Sequence, residues 1–341
     1  MNGLIRSRAT RETICVVALL ALLPVLLDPF RLNLVGKYLS FAFVALGIVL
    51  TWGYGGVLSL GQGVFFGAGG YMMAMFLKLE ASAPELPDFM VWSSVESLPL
   101  WWQPFHSLGW TLLLIATICP AVAYLFSYAV FRKRVGGVYF SIVTLSLALT
   151  MTVLIIGQQG DTGGANGITD FRTLSGNDIV GDGAKLVLYA LQTVVIAIAM
   201  VLCGALLHSR FGKVLIAIRD REDRVRFSGY NTAHMKAFVF AVAALLSSIG
   251  GAFYTLQVGL ISPGSIGVVA SIEMVIYAAV GGRLSIAGAV VGAVVVGFLK
   301  SYLSEAFPEA WLYFLGALFI VVVAFMPNGL AGLTSRLGGA R

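Results

Sequence analysis

Apolar residues in this chain neither alternate nor fall on a narrow stripe; they run on for most of a membrane's thickness and then stop at short polar breaks. Such runs occupy roughly 13–30, 36–53, 57–78, 108–131, 136–157, 185–207, 237–258, 268–281, 285–300 and 311–327. A helix needs roughly 20 apolar residues to cross a bilayer. The pattern therefore predicts an all-α, polytopic integral membrane protein of about ten transmembrane helices, with both termini on one face. The eighth and ninth runs are the shortest, and only Gly281-Gly282-Arg283-Leu284 separates them. They read either as two spans or as one re-entrant pair, and each choice leaves the later topology intact.

Composition agrees with lipid as the solvent. Of 341 residues, 59% are hydrophobic and 11% charged, and the mean hydropathy is +0.92, too little polar surface to coat a water-soluble globule. Residues 1–341 are accordingly expected to form a single transmembrane domain, interrupted by a polar loop at about 208–236. A net charge of +6 raises the question of nucleic acid, but the placement of the basic residues answers it. With the N-terminus inside, the outer segments carry only Arg31, Lys37, Lys78, Arg172, Lys185 and Lys300 of the 22 Lys and Arg residues. That asymmetry is the positive-inside rule at work, so the basic excess marks inner loops and no nucleic-acid partner is expected. Arg6, Arg8 and Arg11 before the run from Ile14 to Leu27 resemble the start of a signal peptide. The bulky, charged sequence that follows offers no small-residue cleavage site, so the run reads as the first membrane helix. Cys15, Cys119 and Cys203 each lie in an apolar run, with no metal-site or disulfide spacing, and read as small core residues.

Catalytic patterns are missing. Three histidines, His106, His208 and His234, build no HExxH motif, Gly56 to Gly61 misses the GxSxG spacing by one residue, and no Walker A sequence occurs. The chain is expected to be no enzyme and to hold no cofactor or metal, with any ATP bound by partner subunits. Eight of its 40 glycines lie between Gly53 and Gly70. They signal close helix packing or a broken helix lining a polar pathway; Gly288 and Gly292 repeat the packing spacing. Ser59, Gln62, Ser141, Thr144 and Ser146 are polar groups in or beside apolar runs, and Ser141 and Thr144 share a helix face. They are candidates for the substrate pathway, although such hydroxyls also bond the preceding turn or bridge helices. Glu273 joins the candidates as a carboxylate within a span.

The inner loop reads HSRFGKVLIAIRDREDRVRFSGYNTAHMK, and its charges of both signs at helical density from Ala217 to Phe227, followed by Ser228-Gly229, predict a short helix with a stop. It serves either as a solvated loop helix or as a docking helix for a cytosolic partner. Ala217-Ile218-Arg219-Asp220-Arg221-Glu222, ending at Gly229, resembles the coupling segment of the branched-chain amino acid (LivM-like) ABC permeases, except that Arg224 and Val225 replace small alanines. Ser59-Leu60-Gly61-Gln62-Gly63 and Gly281-Gly282-Arg283 resemble two further motifs of that family, and the similarity covers nearly the whole chain.

Within the family, Arg224 to Tyr230, Leu86 to Trp92, Gly163 to Phe171 and Phe307 to Gly316 resemble the urea-type permeases. The resemblance implies a multi-pass permease of the bacterial inner membrane that imports urea or short-chain amides. It also implies a second homologous permease, two cytosolic ATPases and a periplasmic substrate-binding protein as partners, with membrane lipid around them. Arg219, Asp220, Arg221, Glu222 and Gly229 are the implied coupling residues. A branched-chain amino acid permease and, more distantly, a passive urea channel remain as alternatives; the first requires partners for an ammonium and a carboxylate.

Overall fold

The computed structural model describes residues 2–171, 173–326 and 328–332. Its helices are α1 (Asn2–Leu26), α2 (Pro29–Ile48), α3 (Gln62–Ser82), the short α4 (Asp88–Trp92), α5 (Leu108–Arg132), α6 (Val138–Gly157), the short α7 (Gln159–Thr162), α8 (Asp182–His208), α9 (Arg210–Phe227), α10 (Thr232–Val258), α11 (Val268–Gly281), α12 (Ile286–Ala306) and α13 (Trp311–Phe325). A two-residue hairpin pairs Thr173–Leu174 with Asn177–Asp178. Six helices among the described residues are long and apolar enough to cross a membrane: α2 with the turn that extends it to Tyr54, α5, α6, α8, α10 and α12. α11 and α13 are shorter apolar helices.

α2 and α10 sit at the centre, with α3 and α5 against α10 and with α8, α11 and α12 against α2. Stacked and tilted rings of Phe41, Phe66, Tyr254 and Tyr277 join α2, α3, α10 and α11. By contrast α5 and α6 turn large apolar side chains outward; Leu125 is 66% and Val153 61% exposed. In water such a surface would be an association hazard, and in a bilayer it is the ordinary lipid-facing side.

Several boundaries differ from expectation for local reasons. The first helix ends at Leu26 and not near 30, because Asp28-Pro29 already opens α2 with proline at its first position. α1 packs into the bundle, where the Tyr189 hydroxyl donates to the Leu20 carbonyl at 3.0 Å. The third helix begins at Gln62 and not at 57, since residues 55–61 are unwound. The loop helix begins earlier than Ala217, at Arg210, where Ser209 caps it by accepting from the Gly212 amide at 3.4 Å. Cys119 and Cys203 are buried, but Cys15 is exposed on α1 and is no core residue.

α11 and α12 form a tight antiparallel pair across the turn at Gly282. A Cβ at Gly292 would stand 2.4 Å from the Tyr277 carbonyl oxygen, and one at Gly288 2.4 Å from that of Gly281. The four-residue glycine spacing therefore lets these two backbones touch. α12 has 21 residues and α11 only 14, so the pair joins one helix of spanning length to a shorter one.

Candidate coupling and translocation sites

α9 lies across the end of the bundle, with Leu215 and Ile218 buried beneath it. Arg219 reaches inward from this surface. Its Nη1 donates to the Gly53 carbonyl at 2.8 Å, while its Nε donates to Asp220 at 3.0 Å. Gly53 belongs to the π-helical turn Val49–Tyr54 that ends α2, where helical carbonyls run out of partners and the helix dipole is negative. A guanidinium satisfies both conditions. Arg221 interrupts the helix with φ −153° and ψ 78°, so the following turn is re-aimed toward α10.

There Glu222 accepts from Arg226 at 3.0 Å and from Lys236 of α10. Burial pushes the Glu222 carboxyl up, but the hydrogen bond and charge of Lys236, with help from Thr232 and Arg226, hold it below the ordinary glutamate value. Gly229 follows at φ +86° with its amide on the Arg226 carbonyl at 3.0 Å, and an added Cβ would meet nothing. Its role is conformational. Phe227, 92% exposed, and Tyr230 flank it on the open surface.

The unwound stretch 55–61 carries the second group of candidates. Ser141 Oγ donates to the Leu58 carbonyl at 2.7 Å, and Thr144 Oγ1 accepts from the Leu60 amide at 3.1 Å. Both side chains thus supply the partners that a broken helix at membrane depth requires. Ser59, fully buried, accepts from the Gly61 amide at 3.3 Å. Glycine is required where the strand of backbone passes its neighbours: a Cβ at Gly61 would stand 2.2 Å from the Thr144 carbonyl oxygen, and one at Gly53 1.8 Å from that of Arg283. Gln62 accepts from Ser247 at 3.1 Å, but its buried Nε2 has no hydrogen-bond partner among the described residues.

The Gly63 amide donates to Ser271 on α11 at 3.2 Å. Ser271 precedes Gly282 by eleven residues, about 16 Å at 1.5 Å per residue, so the break climbs about that far from the end of the bundle. At its lower end the Tyr54 hydroxyl donates to the Leu284 carbonyl at 2.8 Å, and the Arg283 guanidinium lies 5.8 Å from the Trp52 ring. α9, the unwound stretch and the Gly281-Gly282-Arg283 turn therefore meet at one junction.

Ser59, Gln62, Ser141 and Thr144 come together around the break, whereas Glu273 stands apart. Glu273 is 5% exposed and pairs with Lys300 of α12 at 2.6 Å, and both line a cavity of about 380 Å³ together with Lys37. Lys300, expected as an outer-side charge, is the partner that explains a carboxylate in a span. Nothing local in the sequence pairs positions 273 and 300; only the antiparallel packing of α11 and α12 does.

A family model described as "Branched-chain amino acid transport system / permease component" matches residues 30–323. The chain belongs to this permease family. It is similar to the high-affinity branched-chain amino acid permease LivM of Escherichia coli (strain K12), at 22% identity over 95% of this chain and 76% of that protein. BraD of Pseudomonas aeruginosa is 23% identical over 86% of this chain and 92% of its own length. The ribose import permease RbsC of Haemophilus influenzae is 24% identical over 65% of this chain and 68% of its own length. No solved structure matches. The protein is thus an ABC-type permease with several apolar helices, a multi-pass protein of the inner membrane, and its family works with ATPase and substrate-binding partners.

Proposed function

We propose that this chain is the membrane-spanning subunit of a binding-protein-dependent importer for urea or short-chain amides, without ATPase chemistry of its own. Its whole length acts as one transmembrane domain of about ten crossings, with both termini and α9 on the inner face. A second permease, two ATPases docked on α9 and an external binding protein complete the assembly. The observation that carries the transport reading is the Arg219 bond to the Gly53 carbonyl. It joins the surface a motor would push to a broken helix, and broken helices are where transporters expose backbone groups to solute. Arg219, Asp220, Arg221, Glu222 and Gly229 act as the coupling residues on this reading.

Urea is small and neutral, with hydrogen-bond donors and an acceptor. The break offers groups of matching chemistry, with Ser59 inside it and Gln62 Nε2 at its end as a buried donor lacking a partner among the described residues. The resemblance of 86–92, 163–171 and 307–316 to the urea-type permeases points the same way. A branched-chain amino acid is the second reading, favoured by the names of the similar permeases and by the Lys37, Glu273 and Lys300 charges around one cavity. Uptake of labelled urea in cells with and without the gene, in the presence of excess leucine, separates the two. Loss of leucine-insensitive urea uptake on deletion supports the first reading; loss of leucine uptake with urea uptake intact replaces it with the second.

A further inference from the structure

We propose that the pocket between the α5–α6 turn and the α9–α10 turn binds the phosphate headgroup of an anionic phospholipid, with Arg132 and Arg134 as its ligands. The site lies at the lipid boundary and stands apart from the solute that the permease imports.

Tyr128, Arg132, Arg134, Arg226, Tyr230 and Thr232 line this pocket, whose volume is about 540 Å³. Against about 30 Å³ for a water molecule in the liquid, that is room for a headgroup and not merely for an ion. Arg226 and Lys236 are already answered by acidic neighbours. Glu222 accepts from both, and Asp223 stands 4.0 Å from Arg226. Arg132 and Arg134 are exposed and make no side-chain hydrogen bond or ion pair among the described residues. Two positive charges are therefore left over. A guanidinium pairs with two oxygens of one phosphate at once, and α10 starts at Thr232, so the positive end of its dipole adds to the field in the pocket.

The backbone at Arg134 points to a ligand as well. Arg134 follows the end of α5 at φ +61°, with its amide donating to the Phe131 carbonyl at 2.9 Å. Glycine takes this left-handed conformation without steric cost. An arginine there carries strain, and strain of this kind collects at ligand clamps.

What adjoins the pocket sets the occupant. Val138 and Tyr139 at the start of α6 are exposed, as is Leu125 of α5, two helical turns before Arg132. A molecule whose phosphate sits on the two arginines thus has apolar outer surface of α5 and α6 beside it for its acyl chains, and basic pockets between membrane helices hold headgroups in this way. A soluble phosphate or an acidic peptide has no use for that surface.

The full chain in dodecyl maltoside is melted against rising phosphatidylglycerol, phosphatidylcholine, glycerol 3-phosphate and oligoglutamate. Phosphatidylglycerol alone is expected to raise the melting temperature. Arg132→Gln and Arg134→Gly should each raise the phosphatidylglycerol concentration for half the effect at least about tenfold, the loss of one charge-assisted contact. Lys133→Gln, a neighbouring charge that does not line the pocket, should leave it unchanged. Arg134→Gly suits the φ +61° turn, so without lipid it should melt no lower than the parent, and its loss of the lipid effect then reads on binding alone. Phosphatidylcholine that acts as well as phosphatidylglycerol overturns the proposal. So does Lys133→Gln weakening the effect as much as Arg132→Gln, which reduces it to the diffuse charge of the turn. Equal stabilisation by glycerol 3-phosphate makes this a soluble phosphate site, and stabilisation by oligoglutamate alone makes it a dock for an acidic peptide; both outcomes overturn the lipid assignment.

Discussion

Replacing Arg219 with Gln should uncouple ATP hydrolysis from transport. The arginine bridges α9 and the end of α2 through a 2.8 Å bond to the Gly53 carbonyl, and Asp220 fixes its orientation at 3.0 Å. A hydrogen bond from a charged donor contributes about 1.5–3 kcal/mol. The side chain is 31% exposed, so solvent screening places the value near the lower end, about 1.5 kcal/mol. That corresponds to about a tenfold change in the population of the docked junction. A glutamine is too short to reach Gly53 without moving α9, and it leaves the terminal carbonyls of the π turn without their cation. In proteoliposomes holding the assembled importer, uptake per ATP hydrolysed should fall by about tenfold while basal hydrolysis persists. Wild-type uptake per ATP in a correctly inserted variant would refute the argument that this bond carries the coupling.

Other positions give contrasting tests. Gly229→Pro should abolish transport, since proline cannot adopt φ +86° or donate to Arg226; Gly229→Ala meets no atoms and should cost only about 1 kcal/mol of loop stability, measured by hydrogen exchange. Gly53→Ala should be far more damaging, because its Cβ would fall 1.8 Å from a backbone oxygen that no rotamer change can move; near-normal thermal stability of that variant would contradict the packing described. Ser141→Ala leaves the part-buried Leu58 carbonyl without its donor, a loss of about 1 kcal/mol readable as a lower melting temperature. The lowered Glu222 carboxyl contributes loop stability above the ordinary glutamate pKa of about 4.3, lost as pH falls through its lower folded value. Protection of residues 222–236 should therefore hold at pH 7 and fade in acid, and Glu222→Gln should remove that dependence.

Much was legible along the chain because it is local. Unbroken apolar runs placed nearly every long helix, the charge asymmetry grouped residues 132–134, 219–236 and 283, and the glycine spacing marked the α11–α12 contact. Boundaries slipped where local signals outweighed hydropathy: a proline at the first helical position at Pro29 and a side-chain cap at Ser209. Ser141 and Thr144 were legible as polar groups in a span, yet their roles were not. Each bonds backbone more than 80 residues away, and hydropathy carries no such information.

The amino-acid sequence by itself determined that this protein lives in lipid, that its backbone there is helical, and that the polar loop before α10 holds a charged helix ending at Phe227, just before Gly229. Those outcomes follow from side-chain transfer energies and local dihedral preferences, which each segment expresses alone. Only the tertiary structure decided that Arg219 holds the end of α2, that α3 starts only at Gln62, and that Glu273 pairs with Lys300. These depend on which carbonyls and charges lack partners once the helices pack, a property of the assembled bundle that no single segment contains.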